Sequence, residues 1–178
     1  MVNPIETPVP REEPTTYEGP ASHEEPASRE EPASPAGASS ADGLEPFELA
    51  FPGPLRDALV AAVLAGAKTA TTGLLAAHEA ENEPLPTAGQ RSALVDSGGR
   101  PVAIVETTDV RVLPLGEIDL RHARDEGEGY ESVGQWRAAH EEFWHSAELR
   151  ELLGDPGFTV DDTTMVVAER FEVVRRLH

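Results

Sequence analysis

Lys68 is the residue best suited to chemistry, because it is the only lysine in a chain whose 14 basic residues are otherwise all arginine. An amine can lose its proton, whereas a guanidinium keeps its charge near neutral pH. Around Lys68, residues 66–73 read GAKTATTG, so small side chains would let a ligand approach closely. Thr69, Thr71 and Thr72 supply hydroxyls as donors or nucleophiles. The alternative is an exposed lysine near a helix C-terminus.

The hydrophobic pattern predicts the elements that position this segment. Apolar residues recur at helical spacing over residues 55–63, with Pro54 near the start and Gly66 near the end. A helix should therefore end just before Lys68. Residues 74–81 indicate a second short helix, and the Glu-Pro-Leu-Pro stretch at residues 83–86 must be extended.

The remaining pattern alternates between strands and helices. Residues 91–96 and 101–113 are rich in Val, Ile, Thr and Leu, and the Ser-Gly-Gly-Arg turn between them predicts a hairpin. Residues 118–125 and 133–152 are predicted as helices, and residues 165–174 as a closing strand. This order favours an α+β fold over a doubly wound sheet.

Composition limits the partners. The chain has 178 residues and a net charge of −19, which disfavours nonspecific binding to duplex DNA. It has no cysteine and no apolar run near the roughly 20 residues that span a bilayer. His140 and His145 are five residues apart, a spacing that favours structural or surface roles over metal binding, and His78 and His122 are expected at the surface. We expect a cytoplasmic protein that uses no cofactor or metal.

Residues 1–46 differ in composition from the rest. Glu-Glu-Pro-Ala-Ser occurs at residues 24–28 and again at residues 30–34, within a stretch that is rich in proline and acidic residues. Such a segment buries too little apolar surface to offset its chain entropy. The sequence predicts a disordered tail over residues 1–46, either solubilising or a docking segment, and a folded domain over residues 47–178.

Several motifs in this order resemble the ASCH domain family, bacterial branch, of the PUA-like superfamily. They are the Gly-x-Lys-Thr-x-Thr at residues 66–71, the Glu-Pro-Leu-Pro and Gly89, the acidic strand at residues 104–108, the Gly-Glu-Gly at residues 127–129 with Trp136, Arg137 and His140, and the last strand at residues 166–171. The resemblance implies a PUA-like β-barrel with flanking helices and a helical insertion.

The resemblance also implies function. Members of the family bind RNA, cleave RNA, or hydrolyse the amide of N4-acetylcytidine with a Lys, a Thr three residues later and a strand Glu. Those positions match Lys68, Thr71 and Glu106. Thr71 would supply the nucleophile, Lys68 a proton acceptor or a positive charge, and Glu106 a proton relay. The sequence departs from the family at Gly73, near a place where many members carry Arg.

Four further residues are candidates for substrate binding: Thr69, Thr72, Trp136 and Arg137. The expected partner is a small nucleoside or RNA. The main alternative to an amidohydrolase is a noncatalytic RNA-binding module linked to translation, with a basic groove formed by Arg91, Arg111, Arg137 and Arg170. A weaker alternative is a metal-independent ribonuclease.

Overall fold

Five strands form one curled, mixed sheet in the computed structural model, which describes residues 41–178. The strands are β1 (Pro46–Phe47), β2 (Ala70–Leu74), β3 (Arg91–Val95), β4 (Pro101–Pro114) and β5 (Met165–Arg176). Their order across the sheet is β1-β3-β4-β5-β2, and β1 runs parallel to β3 while the other pairs are antiparallel. The predicted β3–β4 hairpin and closing strand are confirmed. Residues 1–40 of the predicted tail lie outside the described residues.

The helices occupy the connections of this sheet. They are α1 (Pro54–Leu64), α2 (Leu75–Glu81), α3 (Leu120–Asp125), α4 (Val133–Trp144) and α5 (Ala147–Leu153), with a 3-10 turn at Leu115–Glu117. The prediction of one helix over residues 133–152 is wrong, because α4 ends at Trp144 and a separate helix, α5, begins at Ala147. Ser146 starts a new helix there, and its hydroxyl caps the backbone N–H of Leu149.

The sequence did not predict strands β1 and β2, and β2 is the one that leads from Lys68 into the sheet. Its residues alternate in burial, with Ala70, Thr72 and Leu74 buried and Thr71 and Gly73 half-buried. In the antiparallel register with β5, Thr71 faces Glu169 and Thr72 faces Ala168. Because side chains alternate along a strand, Thr71 and Thr72 lie on opposite faces of the sheet.

Each face of the sheet carries its own core. On one face Leu74 and Ala168 pack with Trp136 and Trp144 from α4. On the other, Phe171 packs with residues of β3 and β4 and with Val60 and Val63 of α1. Thr72 therefore belongs to the face covered by α3, α4 and α5, which together form the helical insertion between β4 and β5, and Thr71 belongs to the face that α1 covers.

The segment around Lys68 is clamped against the loop after α3. The N–H of Thr69 donates to the carbonyl of Asp125 at 2.7 Å, and Arg170 of β5 reaches the Asp125 carboxylate at 2.6 Å. Gly127 has a φ of +71°, and a Cβ at this position would overlap the backbone of Ala67 and Lys68. Glycine is required here because two backbones approach closely.

Gly127→Ala should destabilise the domain by about 3 kcal/mol, because both the left-handed φ and the close backbone oppose a side chain. Gly129→Ala is the matched control: its φ is +84°, but a Cβ there meets nothing within 4 Å. That control should cost about 1 kcal/mol, from backbone strain alone. Urea denaturation measures both, and equal losses would contradict the tight packing.

Candidate functional site

Lys68 is buried, with 2% of its surface exposed, so the alternative of an exposed lysine is wrong. Its Nζ lies 3.3 Å from Glu126 Oε2, from Glu128 Oε1 and from the backbone carbonyl of Glu126. Helix α1 delivers it there: Gly66 takes a φ of +76° after the helix, and the N–H of Lys68 still donates to Ala62. The ammonium is thus enclosed by two carboxylates of the loop that follows α3.

Glu126 is the centre of this cluster. Its side chain is 1% exposed, and it accepts hydrogen bonds from Thr72 Oγ1 at 2.7 Å and Trp136 Nε1 at 2.9 Å, besides Lys68. His140 Nε2 lies 3.2 Å from its Oε2. Burial alone would raise the pKa of Glu126, but hydrogen bonds from His122 and His140 and the charge of Lys68 outweigh it. The pKa of Glu126 is therefore held well below its usual range.

A chain of hydrogen bonds leads from His122 to Glu126. The Thr72 hydroxyl donates to the Glu126 carboxylate, so it accepts from His122 Nε2 at 2.8 Å, and Nε2 must carry the hydrogen. His122 Nδ1 is buried without a hydrogen-bond partner among residues 41–178. The expectation that His122 lies at the surface is wrong, since the residue is fully buried.

His140 packs inside the same cluster. Its ring lies 4.2 Å from that of Trp136 and 5.2 Å from that of Trp144. Its Nδ1 is 2.9 Å from the carbonyl of Trp136, while Nε2 faces the Glu126 carboxylate. Both partners only accept hydrogen bonds, so which ring nitrogen of His140 donates depends on its tautomer.

Among residues 41–178, no group of three or more His, Asp and Glu side chains could hold a metal ion. His145, the other histidine of α4's C-terminal end, accepts a hydrogen bond from the backbone of Val160 through Nε2 at 3.2 Å. The contacts within the Glu126 cluster are hydrogen bonds and ion pairs.

Glu106 lies on a strand of the sheet, as the resemblance implies, and its carboxylate pairs with Arg91 rather than with the Lys68 ammonium. It lies on β4 opposite Arg91, and its Oε2 accepts from Arg91 Nε at 2.7 Å. The carboxylates that contact Lys68 are instead Glu126 and Glu128. Glu126 follows His122 by four residues, one helical turn, and directly precedes the Gly-Glu-Gly run. That spacing was the signal available in the sequence.

The threonines divide between the cluster and an open cleft. Thr72 is buried and hydrogen-bonded in the Glu126 cluster. The Thr69 hydroxyl donates to the carbonyl of Asp125 at 3.3 Å. Thr69 also lines a cleft of about 220 Å³ together with Lys68 and Phe171. Thr71 is half-buried on the opposite face from Thr72. The structure therefore brings Lys68 and Thr72 together around Glu126 and leaves Thr71 on the other face of β2.

The two insertion residues expected to contact substrate have other partners. Trp136 is completely buried, so its ring faces are not free to stack on a base, and its indole N–H holds Glu126. Arg137 donates from Nε to Glu141 at 2.7 Å and from Nη1 to Asp162, which raises the pKa of its guanidinium. Both residues stabilise the insertion.

The arginines expected to form a basic groove are paired with acids. Arg91 pairs with Glu106, Arg111 with Asp109, Arg137 with Glu141 and Asp162, and Arg170 with Asp125. Each of these arginines therefore has an acidic partner within 4 Å, and the RNA-binding alternative stays a prediction.

Comparison with known proteins identifies the family. A family model described as the ASCH domain matches residues 48–175, which is nearly all of the described part. The chain belongs to the ASCH domain family. The α+β, PUA-like fold expected from the motifs is thereby confirmed.

Two solved structures resemble this ASCH domain. Protein EF3133 from Enterococcus faecalis V583 is 27% identical, with a TM-score of 0.63, over 74% of this chain and 77% of that protein. The ASCH domain from Lactobacillus crispatus JV V101 is 26% identical, with a TM-score of 0.63, over 74% of this chain and 80% of that chain. None of the curated proteins matches. No helix within residues 41–178 is long and apolar enough to cross a membrane.

Glu126→Gln should lower the free energy of unfolding by about 3 kcal/mol at pH 7, because it removes the buried one of the two carboxylates that contact the Lys68 ammonium. A depressed folded-state pKa stabilises the domain above the ordinary value of 4.5, and that stability is lost as pH falls below it. The gap between wild type and variant should therefore shrink below about pH 4.5.

Urea denaturation between pH 3.5 and pH 7 measures this gap. Glu142→Gln is the matched control, because Glu142 is an exposed glutamate on α4 and its loss should change stability by less than about 0.5 kcal/mol. If Glu126→Gln and Glu142→Gln unfold alike at pH 7, the carboxylate of Glu126 does not hold the cluster.

Proposed function

We propose that this ASCH domain binds a small nucleoside beside Lys68 and hydrolyses an N-acyl amide on a cytosine-type base. The observation that carries the proposal is the enclosed Lys68 ammonium, which contacts Glu126 and Glu128 in a residue that borders the cleft lined by Thr69. The family resemblance supplies the substrate class, and the geometry supplies the arrangement of charges.

A buried ion pair supports a functional role because it does little for stability. Replacing such a pair with apolar residues of similar shape is often neutral or stabilising. The chain nevertheless places its single lysine there and uses arginine at its other basic positions. The net charge of −19 and the paired arginines favour a small ligand over a polyanion.

The geometry changes the roles that the sequence suggested. A lysine held by two carboxylates is a positive charge and a hydrogen-bond donor, so we assign Lys68 to the oxygen that becomes negative during attack on the acyl carbon. Glu126 accepts several donors and has a depressed pKa, which makes it a weak base and a positioning residue for Lys68.

The nucleophile and its proton acceptor must lie closer to solvent than Glu126. Thr71 is half-buried, whereas Thr72 is hydrogen-bonded on both sides, to His122 and to Glu126. Thr71 lies on the opposite face of β2 from the Glu126 cluster, so its role as the nucleophile stays a prediction, and we assign the attack to a water molecule beside Lys68. Glu128, whose side chain is 23% exposed, is the carboxylate of the cluster that we assign to take a proton from the attacking water and pass it to the leaving amine, which gives the carboxylic acid and the free amine. Glu106 has no part in this scheme.

The full chain should release acetate and cytidine in equal amounts from N4-acetylcytidine, as measured by liquid chromatography and mass spectrometry. Lys68→Arg should lower kcat/KM by about 100-fold or more, because a planar guanidinium does not fit the site of a compact ammonium. The double variant Lys68→Met with Glu126→Gln removes both charges of the pair, so it should fold while losing activity to the same extent.

The outcomes separate the parts of the proposal. Full turnover by the folded double variant would contradict the role of Lys68. Binding of cytidine without any turnover would exclude hydrolysis and leave a nucleoside-binding domain. A wild-type chain that neither binds nor cleaves any of these nucleosides would overturn the proposal.

A further inference from the structure

Of the two carboxylates that contact Lys68, Glu128 is the one that reaches solvent, and its loop gives it little support. Its side chain is 23% exposed, whereas that of Glu126 is 1% exposed. On either side of it lie Gly127, with a φ of +71°, and Gly129, with a φ of +84°. Glycine is the most conformationally permissive residue, so a Gly-Glu-Gly loop does not by itself fix where the glutamate points. Glu128 therefore depends on side-chain contacts for its position.

Two donors supply those contacts, one to each oxygen of the carboxylate. Glu128 Oε1 accepts from Lys68 Nζ at 3.3 Å, and Glu128 Oε2 accepts from the Tyr130 hydroxyl at 2.9 Å. Because the donors approach different oxygens, together they restrict rotation of the carboxylate. Each carboxylate oxygen has two acceptor positions, so one position on each oxygen is left for a water molecule. Tyr130 thus holds the carboxylate without saturating it.

Tyr130 is itself held in place by the insertion. Its half-buried ring packs against the core that contains Trp136 and Trp144, and the ring centroid lies 6.3 Å from that of His140. Burial and the neighbouring charge of Glu128 raise the pKa of the Tyr130 phenol above its ordinary value of 10. The phenol therefore keeps its proton at neutral pH and remains a hydrogen-bond donor to Glu128.

The Tyr130 hydroxyl does more for the position of Glu128 than for packing. A phenylalanine would present the same ring to the core, and a hydrogen bond between partly exposed groups adds little to stability because water can replace it. Glu126 and Glu128 both place a negative charge beside the same ammonium, so the two carboxylates repel each other. The second donor opposes that repulsion and keeps Glu128 beside Lys68.

We infer that Tyr130 is a positioning residue, whose hydroxyl directs the Glu128 carboxylate toward the attacking water. This inference rests on the proposed function, in which Glu128 takes a proton from that water and passes it to the leaving amine. Such a transfer requires the carboxylate within hydrogen-bond reach of the water, about 2.6–3.2 Å. Tyr130 acts through Glu128 and exchanges no proton with the substrate.

Tyr130→Phe tests the hydroxyl, because it keeps the ring in the core and removes one oxygen atom. With the full chain and N4-acetylcytidine as substrate, kcat should fall by about tenfold, since the base is less well placed. KM should stay within about twofold of wild type, because binding of the ground state does not use the base. Phe143→Leu alters packing in the same core without removing a polar group, so it should leave kcat unchanged.

A double-mutant cycle shows whether Tyr130 acts through Glu128. Glu128→Gln removes the proton acceptor and should lower kcat by about 100-fold or more. Adding Tyr130→Phe to that variant should change kcat by less than about twofold, because the side chain that the hydroxyl holds no longer takes a proton. A structural role for Tyr130 predicts the same fall in kcat in both backgrounds.

The outcomes distinguish this inference from the proposed function. If Tyr130→Phe keeps the wild-type kcat, or lowers kcat equally with and without Glu128→Gln, the inference is wrong and the proposed hydrolysis stands. If Glu128→Gln alone keeps the wild-type kcat, Glu128 is not the proton acceptor, and both that assignment and the inference are wrong. If wild type releases no acetate, the proposed function falls and the inference falls with it.

Discussion

The ion pair between Lys68 and Glu126 is the interaction on which the rest of the site depends. Two charges that are almost completely buried cost several kcal/mol of desolvation each unless other hydrogen bonds complete their surroundings. Here the completing donors come from separate elements: Thr72 from β2, and Trp136 and His140 from α4. The buried charge of Glu126 therefore has its full set of hydrogen-bond donors only when β2 and α4 are both packed against it.

The alternation of side chains along β2 places its two adjacent threonines in different surroundings. Thr72 faces the insertion, where it joins His122 to Glu126 and has no hydrogen left to donate to a ligand. Thr71, one residue earlier, faces the side that carries Glu169 and that leads to the cleft. The two adjacent threonines thus have different neighbours, because successive side chains of a strand point in opposite directions.

Local pattern predicted much of the fold. The apolar spacing of α1, the turn between β3 and β4 and the alternation of β5 each depend on residues close in sequence, and the structure confirms them. The break after Trp144 was missed because Ser146 acts as a cap only once its neighbours have turned. β2 was missed because its small and polar residues become a strand by pairing with β5.

The candidate site was predictable at Lys68 and not at its partners. A lone lysine in an arginine-rich chain is visible in composition, whereas the identity of its carboxylate depends on how the insertion folds back. Glu106 and Glu126 both follow Lys68 in the chain, and only tertiary contacts separate the half-buried partner of Arg91 from the buried partner of Lys68. The core position of Trp136 likewise follows from the packing of α4 on the sheet.

The single lysine offers the most direct measurement of whether the Lys68 cluster lies at a binding site. Protein grown with ¹³C- and ¹⁵N-labelled lysine gives side-chain signals from Lys68 alone, since no other lysine occurs in the chain. Titration with cytidine or N4-acetylcytidine should shift the Lys68 Cε and Nζ resonances in a saturable manner. Resonances that stay unchanged while calorimetry records binding would place the ligand elsewhere and contradict the account.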